Sequence, residues 1–155
     1  MLNKFITQLQ KEFSNIKFIN SDTFRWDPQI PAIYYSNSSK GGVWTLLHEV
    51  GHMVLEHKEY KSDFALLKME TQAWQKAKEL AAKYKLAISQ EYIEKCLDSY
   101  RDWLYQRSSC RECSQAGLEI TTGLYKCINC NFRWKVSPER FCRVYRKSVK
   151  PEIRS

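Results

Sequence analysis

Residues 48–52 read His-Glu-Val-Gly-His and carry the residue types and spacing to hold a metal ion and activate water. Side chains four residues apart lie on one face of an α-helix, so His48 and His52 can bind one Zn²⁺ together. Glu49 lies beside them and can act as a general base. Apolar residues at helical steps predict that helix: Val43, Trp44, Leu47, Val50, Val54 and Leu55. The alternative is a chance match, in which two surface histidines flank an ordinary helical glutamate.

A third protein ligand has to come from outside the pentapeptide, because the chain has only three histidines. On a continuing helix the last of these, His57, would point away from the pair. Glu56 would share the face of the pair but lie a full turn beyond it, which suits an outer or capping role better than ligation. Glu70 is therefore the leading candidate for the third ligand, with Glu59 and Asp63 as competitors in the connecting segment.

Glu70 opens a segment that is rich in strong helix formers and has small side chains along one stripe. The stripe favours close packing against another helix, and its members are Ala73, Ala77, Leu80, Ala81 and Tyr84. Gly51 fits this interpretation, because glycine inside a helix costs about 1 kcal/mol relative to alanine and needs a packing reason. A close crossing of the two helices would supply that reason. The competing interpretation makes Glu70 a solvated charge at a helix start.

The pentapeptide, with His57 five residues on and Glu70-x-x-Ala73 at the start of an alanine-rich helix, resembles the ImmA/IrrE-type zinc metallopeptidases over roughly residues 16–90. The resemblance implies a zincin-like fold of the gluzincin kind. It implies a zinc metalloendopeptidase that hydrolyses peptide bonds of an intracellular protein, such as a repressor-like regulator. The roles it implies are His48, His52 and Glu70 as ligands of a catalytic Zn²⁺ and Glu49 as catalytic base. The chain departs from the family at Trp74, where Asn or Asp is frequent.

A second metal signal follows in two Cys-x-x-Cys knuckles separated by thirteen residues: Cys110/Cys113 and Cys127/Cys130. Four thiolates at this spacing predict a tetrahedral structural Zn²⁺ in a zinc ribbon, with Gly117 and Gly123 in the intervening turns. The alternative is a set of disulfide or redox cysteines, but nothing else in the chain indicates an oxidising compartment. Cys96 and Cys142 occupy apolar helical positions and are interpreted as buried thiols.

Positive charge is concentrated near the C-terminus, where residues 109–155 carry ten Lys and Arg against four Asp and Glu, or +6 of the total of +8. Ser137-Pro138-Glu139 predicts the start of a short basic helix. Cations interleaved with aromatic residues suit a phosphate backbone or an unstacked base. The candidate nucleic-acid-binding residues are Arg133, Lys135, Arg143, Arg146, Lys147 and Lys150. A solvated basic tail is the alternative.

The remaining pattern predicts an α+β fold in two domains. An apolar stripe predicts a helix over 2–13, and Ser89 can cap a last helix that closes the first domain near Arg107. Three short segments bounded by turn-forming residues predict a small sheet with an antiparallel edge: 17–20, 24–26 and 33–35. We expect a zincin-like metallopeptidase domain over residues 1–108 and a four-cysteine zinc ribbon with the basic helix over residues 109–155.

Two other functions are compatible with these motifs. A SprT-like protease also joins a His-Glu-x-x-His domain to a C-terminal zinc ribbon and acts on proteins attached to DNA. Its third ligand is a histidine beyond the metal helix, and this chain has no histidine after His57. The other alternative is a non-enzymatic, zinc-stabilised adaptor for nucleic acid or protein. Glu49 argues against the adaptor, because a structural zinc site normally fills all four positions with protein ligands.

The composition is that of a globular chain. Its 155 residues, 43% of them hydrophobic, can fill a core of about a hundred residues and a small additional module. No apolar run approaches the roughly 20 residues that span a membrane, and Lys4 and Lys11 interrupt the N-terminal helix. We therefore expect a cytoplasmic protein that acts on a protein substrate and has no membrane partner. The sequence carries no signal for an oligomeric state.

Overall fold

The computed structural model describes residues 2–37, 42–140 and 143–149, and in these ranges the chain forms four helices and two small sheets. The elements in chain order are α1 Leu2–Glu12, β1 Lys17–Asn20, β2 Arg25–Asp27, β3 Ala32–Tyr35, α2 Gly42–Val54, α3 Asp63–Lys83, α4 Gln90–Ser108, β4 Gly117–Thr121, β5 Leu124–Cys127, β6 Arg133–Val136 and β7 Arg146–Ser148. This confirms the α+β class. In the described ranges, no helix is both long and apolar enough to cross a membrane.

Packing divides the chain into two compact units. The first comprises Met1–Glu59 and Lys68–Ile93, and the second comprises Tyr60–Leu67 and Glu94–Ser155. Helices α3 and α4 therefore contribute residues to both units. This grouping differs from a division after residue 108, because it assigns residues 60–67 and most of α4 to the cysteine-rich part of the chain. The division into a peptidase domain and a ribbon stays a prediction.

The first unit contains a three-stranded sheet in the order β1-β3-β2. β1 runs parallel to β3, and β2 runs antiparallel to it, so β2 is the antiparallel edge expected from the sequence. Ile33 in the central strand is fully buried, as is Leu9 on the apolar stripe of α1. Helix α2 buries its own apolar face, which consists of Leu46, Leu47 and Val50. The edge strand β2 and the buried face of α2 are two of the elements from which the site is built.

Helices α2 and α3 approach each other at Gly51. A Cβ atom added to Gly51 would lie 2.5 Å from the carbonyl oxygen of Ala73, which is closer than real Cβ atoms come. The small residues Ala73, Ala77 and Ala81 of α3 are buried as the stripe predicted. The structure thus confirms that Gly51 is required by a close helix crossing.

The second unit contains the four-stranded antiparallel sheet β4-β5-β6-β7. Its small core is built around Trp134, which is fully buried, stacks on Tyr125 and donates its indole N–H to the carbonyl of Arg107 at 2.8 Å. Gly117 lies under that indole, and an added Cβ would meet the ring at 2.3 Å. Gly123 has a φ of +71° in the turn between β4 and β5, where glycine is favoured.

Asp63, one of the competing candidates for the third metal ligand, has other partners in the second unit. Its carboxylate accepts a hydrogen bond from Arg107 Nε at 2.7 Å and another from the hydroxyl of Tyr125. Asp63 and Arg107 are both buried, and removing one partner of such a pair leaves an uncompensated buried charge. Asp63 therefore belongs to the core of the second unit and not to the histidine site.

The predicted basic helix after residue 137 is wrong. Residues 146–148 form β7, which pairs antiparallel with β6 and sets Arg146 opposite Val136 and Lys147 opposite Lys135. The free edge of β6 offers backbone hydrogen bonds to this segment, whereas a short helix is marginal in water. Lys150, Phe141 and Cys142 lie outside the described residues.

The helix crossing makes the effect of a mutation at residue 51 opposite to that expected from helix propensity. Alanine normally stabilises a helix relative to glycine by about 1 kcal/mol. We expect Gly51→Ala instead to lower the free energy of unfolding by roughly 1–3 kcal/mol, because the new methyl group must displace the backbone of α3. Urea denaturation followed by circular dichroism measures the change.

Gly42→Ala is the matched control in the same helix. A Cβ at Gly42 would meet its nearest neighbours at 3.5–3.8 Å, which is ordinary contact. This variant should be neutral or slightly stabilising. Equal unfolding midpoints for the wild type and Gly51→Ala would show that the two helices are not in backbone contact.

Candidate metal centres

Helices α2 and α3 bring His48, His52 and Glu70 together. The Nε2 atom of His48 lies 3.1 Å from the Nε2 atom of His52 and 3.0 Å from Glu70 Oε2. The Nε2 atom of His52 lies 3.5 Å from Glu70 Oε1. All three side chains are buried, with exposed fractions of 5–8%. The two histidines predicted from the pentapeptide and the glutamate predicted from the next helix therefore form one cluster.

The two Nε2 atoms carry at most one hydrogen each, so the three contacts of this cluster cannot each be a hydrogen bond. An imidazole Nε2 atom carries either one proton or one lone pair. If both Nε2 atoms carry protons towards Glu70, their N–H groups face each other across 3.1 Å. If one histidine Nε2 donates its proton to the lone pair of the other, neither histidine has a proton left to donate to the Glu70 carboxylate. A cation in the centre accepts an electron pair from all three groups at once, so the donor set fits a metal ion.

The negative charge of Glu70 suits the role of a metal ligand. Burial raises the pKa of its carboxyl, but hydrogen bonds and charge interactions with His48 and His52 outweigh burial and hold the pKa well below its usual range. Glu70 is therefore an anion at neutral pH, which is the form of a carboxylate that binds a metal ion.

His57 lies beside this cluster, because the helix does not continue through it, as the expectation that it would point away had assumed. Helix α2 ends at Val54, and Glu56 adopts a φ of 54°. Glu56 N–H then bonds to the carbonyl of Met53 and His57 N–H to that of His52, both at 3.0 Å, which is a Schellman end. The chain turns back, and the Nδ1 atom of His57 reaches the Nδ1 atom of His52 at 2.9 Å.

This contact makes His57 an outer partner of the cluster. When the Nε2 atom of His52 donates its lone pair to a metal ion, its Nδ1 atom carries the proton and donates it to His57. Partners of this kind fix the tautomer and the ring orientation of a ligating histidine. Glu56 is part of the helix end, as its predicted capping role requires.

Trp74 orients the other histidine by stacking. Its ring lies 4.3 Å from the ring of His48, centroid to centroid, at an interplanar angle of 24°. Among the described residues, the buried Nδ1 atom of His48 has no hydrogen-bond partner. The orientation of His48 thus depends on the face of Trp74, at the position where the resemblance leads one to expect a polar side chain.

Glu49, the candidate base, is held by the edge strand of the sheet. Its Oε2 atom accepts a hydrogen bond of 2.8 Å from the backbone N–H of Trp26 in β2. The indole N–H of Trp26 donates to the carbonyl of His57 at 3.0 Å. Trp26 thus links β2 to Glu49 of the motif and to His57, just beyond the end of α2. The sequence does not signal Trp26 as a site residue, because a backbone donor has no signature in the residue type.

The four ribbon cysteines form the second cluster. Three of their sulfur–sulfur distances are 3.5–3.6 Å, far beyond the roughly 2.05 Å of a disulfide and close to the roughly 3.8 Å between sulfurs of a tetrahedral zinc site. A hydrogen bond from the backbone of Gln115, with a second from Asn129, lowers the pKa of Cys113 to about 6. The lowered pKa favours the thiolate of Cys113, the form that binds metal, whereas at Cys130 a backbone hydrogen bond from Phe132 is outweighed by burial and the neighbouring thiols, which raise the pKa of Cys130 to about 12. Cys96, interpreted from the sequence as a buried thiol, is half-buried and lies outside the cluster.

The two knuckles repeat the same local geometry. In each, the first sulfur accepts an amide hydrogen bond of 3.4 Å from two residues on, as in Glu112 to Cys110 and Asn129 to Cys127. A residue with a φ of 60° follows each second cysteine, namely Ser114 and Asn131. Two equivalent turns with thiols directed at one point are what a structural metal site requires.

The candidate nucleic-acid-binding residues do not form one helical face. Arg133, Lys135 and Lys147 lie on strands β6 and β7 of the second sheet. Arg146 is half-buried and donates a hydrogen bond to the carbonyl of Ser109 at 2.6 Å. Arg143 is exposed outside any strand. The structure therefore places four of the predicted cations on strands, of which Arg146 is half-buried and engaged by Ser109, and leaves Arg143 outside the sheet.

Comparison of the chain with protein-family models, with curated proteins and with solved structures found no match. The function therefore has to be inferred from the geometry of the two clusters.

The roles of the side chains around the histidine cluster predict a ranking of metal affinity. Glu70→Gln keeps the size of the side chain and removes the anionic donor, so it should weaken zinc binding most. His57→Leu removes an outer partner and should cost about 10- to 100-fold, with His57→Gln closer to the wild type because its amide oxygen can accept the same proton. Glu56→Gln should have little effect.

Competition with a chromophoric chelator measures these affinities. The ranking is tested by the two glutamate variants, which change the same functional group. A larger loss for Glu56→Gln than for Glu70→Gln would show that the third ligand is not on α3.

The thiol cluster predicts a second, independent metal. The wild type should contain about two Zn²⁺ per chain, and Cys113→Ser about one, with loss of the β4–β7 sheet. Cys96→Ser is the control for a thiol outside the cluster and should keep both ions. Metal analysis by mass spectrometry reads the stoichiometry. One ion in the wild type, retained by Cys113→Ser, would mean that the ribbon binds none.

Proposed function

We propose that the chain is a zinc-dependent metalloendopeptidase that hydrolyses peptide bonds of a protein substrate. The observation that carries the proposal is the convergence of His48 Nε2, His52 Nε2 and the Glu70 carboxylate within 3.0–3.5 Å, with Glu49 on the same turn of α2. Two histidines, one carboxylate and an adjacent carboxylate base form the donor set of a hydrolytic zinc site.

The donor types select the metal. Imidazole and carboxylate together suit Zn²⁺, and three protein ligands leave a fourth position open, as in catalytic zinc sites. The four-cysteine cluster, by contrast, fills all positions with protein and suits a structural ion. When bound to the histidine site, Zn²⁺ polarises the scissile carbonyl and lowers the pKa of water towards about 7.

Glu49 moves the protons. Its Oε2 atom is held by Trp26 N–H, whereas its Oε1 atom makes no hydrogen bond to a described residue. We assign to Oε1 the uptake of a proton from the attacking water and its delivery to the leaving amine. A positioned general base of this kind contributes about 10²- to 10⁴-fold to the rate. The hydrogen bond from Trp26 prevents the carboxylate from rotating away between the two transfers.

The substrate binds as an extended segment. β2 is an edge strand, and edge strands can pair with an extended peptide through main-chain hydrogen bonds. Trp26 lies in β2 and holds Glu49, so a peptide lying along this edge has its backbone next to the base.

A protease that acts on nucleic-acid-bound proteins, of the SprT-like kind, is the second candidate. The cations on strands β6 and β7 favour it. The third ligand opposes it, because that family uses a histidine where this chain offers Glu70. A purely structural adaptor is less favoured, since it gives no reason for Glu49 to be held beside a three-ligand cluster.

The proposed mechanism is tested at Glu49. Glu49→Gln should reduce peptide cleavage by at least about 10²-fold while leaving the zinc content and the unfolding midpoint unchanged, because the amide cannot take up a proton. Cleavage of a proteome-derived peptide library, read by mass spectrometry, is the assay. Glu59→Gln is the control, since it makes the same chemical change at an exposed residue. Undiminished cleavage by Glu49→Gln would falsify the mechanism, and a wild type that cleaves nothing would favour the adaptor.

A further inference from the structure

One face of the four-stranded sheet carries a row of cations. Successive residues of a strand point to opposite faces, and Trp134 and Tyr125 point into the core. Their strand neighbours therefore share the outer face. The register sets Lys126 of β5 opposite Arg133 of β6, and Lys135 of β6 opposite Lys147 of β7. We call Lys126, Arg133, Lys135 and Lys147 the basic face.

The basic face places like charges directly opposite each other twice. Directly opposed like charges destabilise a sheet. None of the four makes an ion pair or a side-chain hydrogen bond to a described residue, and Glu112 is the one described carboxylate that lines a cavity with two of them, Lys126 and Arg133. Glu119 in β4 is directed elsewhere and accepts a hydrogen bond from the backbone N–H of Asp63 at 2.7 Å. An arrangement that costs stability and has no internal partner fits an anionic ligand.

An exposed aromatic ring lies beside this face. Tyr145 exposes 66% of its surface and pairs through its backbone with Ser137, the next outward position after Lys135. Tyr145, Lys135 and Lys147 line one groove of about 730 Å³, together with Arg111 and Arg146. Among the described residues, no acidic side chain lines this groove. It therefore offers several positive charges and one ring face to the same ligand.

We propose that the basic face and Tyr145 bind a single-stranded nucleic acid. The phosphates contact the cations, and an unstacked base lies against the ring of Tyr145. The cations of the basic face would by themselves also fit the repeated carboxylates of an acidic peptide. Such a peptide, however, makes no use of an exposed aromatic ring. A duplex keeps its bases stacked internally and does not present a base face to Tyr145. The inference does not depend on the proposed peptidase activity.

Binding of a fluorescently labelled 20-nucleotide strand to the full-length, zinc-loaded protein tests this inference by anisotropy. Lys135→Gln/Lys147→Gln removes one opposed pair and should weaken binding roughly 10- to 30-fold at about 0.1 M salt. It should also reduce the slope of log K against log salt by about 1.4, for two lost phosphate contacts. Lys4→Gln/Lys11→Gln makes the same charge change on α1 and should alter neither quantity.

Tyr145→Ala separates the base contact from the charge. It should weaken binding roughly 5- to 100-fold with an unchanged salt slope, because stacking involves no phosphate. Zinc content and circular dichroism establish that each variant is folded, and Lys126→Gln/Arg133→Gln provides a second pair should the first variant not fold. Comparing the affinities for DNA and RNA strands of the same sequence shows which of the two nucleic acids the protein prefers.

Three results would overturn the inference. One is equal loss of affinity in the Lys135/Lys147 and the Lys4/Lys11 double variants, which would make the binding a property of net charge. Another is binding of a poly-glutamate peptide as tightly as the strand, with no effect of Tyr145→Ala on either ligand. The third is tighter binding of a duplex than of the single strand.

Discussion

Residue 51 has to be glycine if α2 is to lie against the backbone of α3, since an added Cβ would meet the Ala73 carbonyl at 2.5 Å. Glu70 lies three residues before Ala73 and so shares its helix face, while His48 lies three residues before Gly51. The backbone contact therefore sets the distance from the carboxylate to the imidazole nitrogens. Contacts of 3.0–3.5 Å between these groups do not survive a helix displacement of an ångström.

The side chains of the histidine cluster are oriented partly by packing and partly by hydrogen bonds. Trp74 orients one histidine by stacking, and His57 orients the other through a ring nitrogen. The sheet contributes a single backbone N–H, that of Trp26, which fixes the base. Each of these partners comes from a different element, so the pentapeptide on α2 becomes a site only after β2, α3 and the end of α2 have packed.

The features that could be predicted from the sequence are those set by the spacing of residues within one helix or turn. The histidine pair, the cysteine knuckles and the glycine at the crossing depend on helix or turn geometry that the residue types themselves signal. The position of His57 could not be predicted, because it depends on Glu56 adopting a left-handed conformation that normally signals glycine. The strand at residues 146–148 was missed because pairing with the free edge of β6 overrides a weak helical pattern.

The central claim is that His48, His52 and Glu70 hold a zinc ion with one position open beside Glu49. A zinc-edge anomalous difference map from crystals of the zinc-loaded chain tests it most directly. We expect a peak at about 2.0–2.2 Å from the Nε2 atoms of His48 and His52 and from the Glu70 carboxylate, with no fourth protein ligand. A peak whose four positions are all filled by protein groups, or no peak between the two histidines, would contradict it.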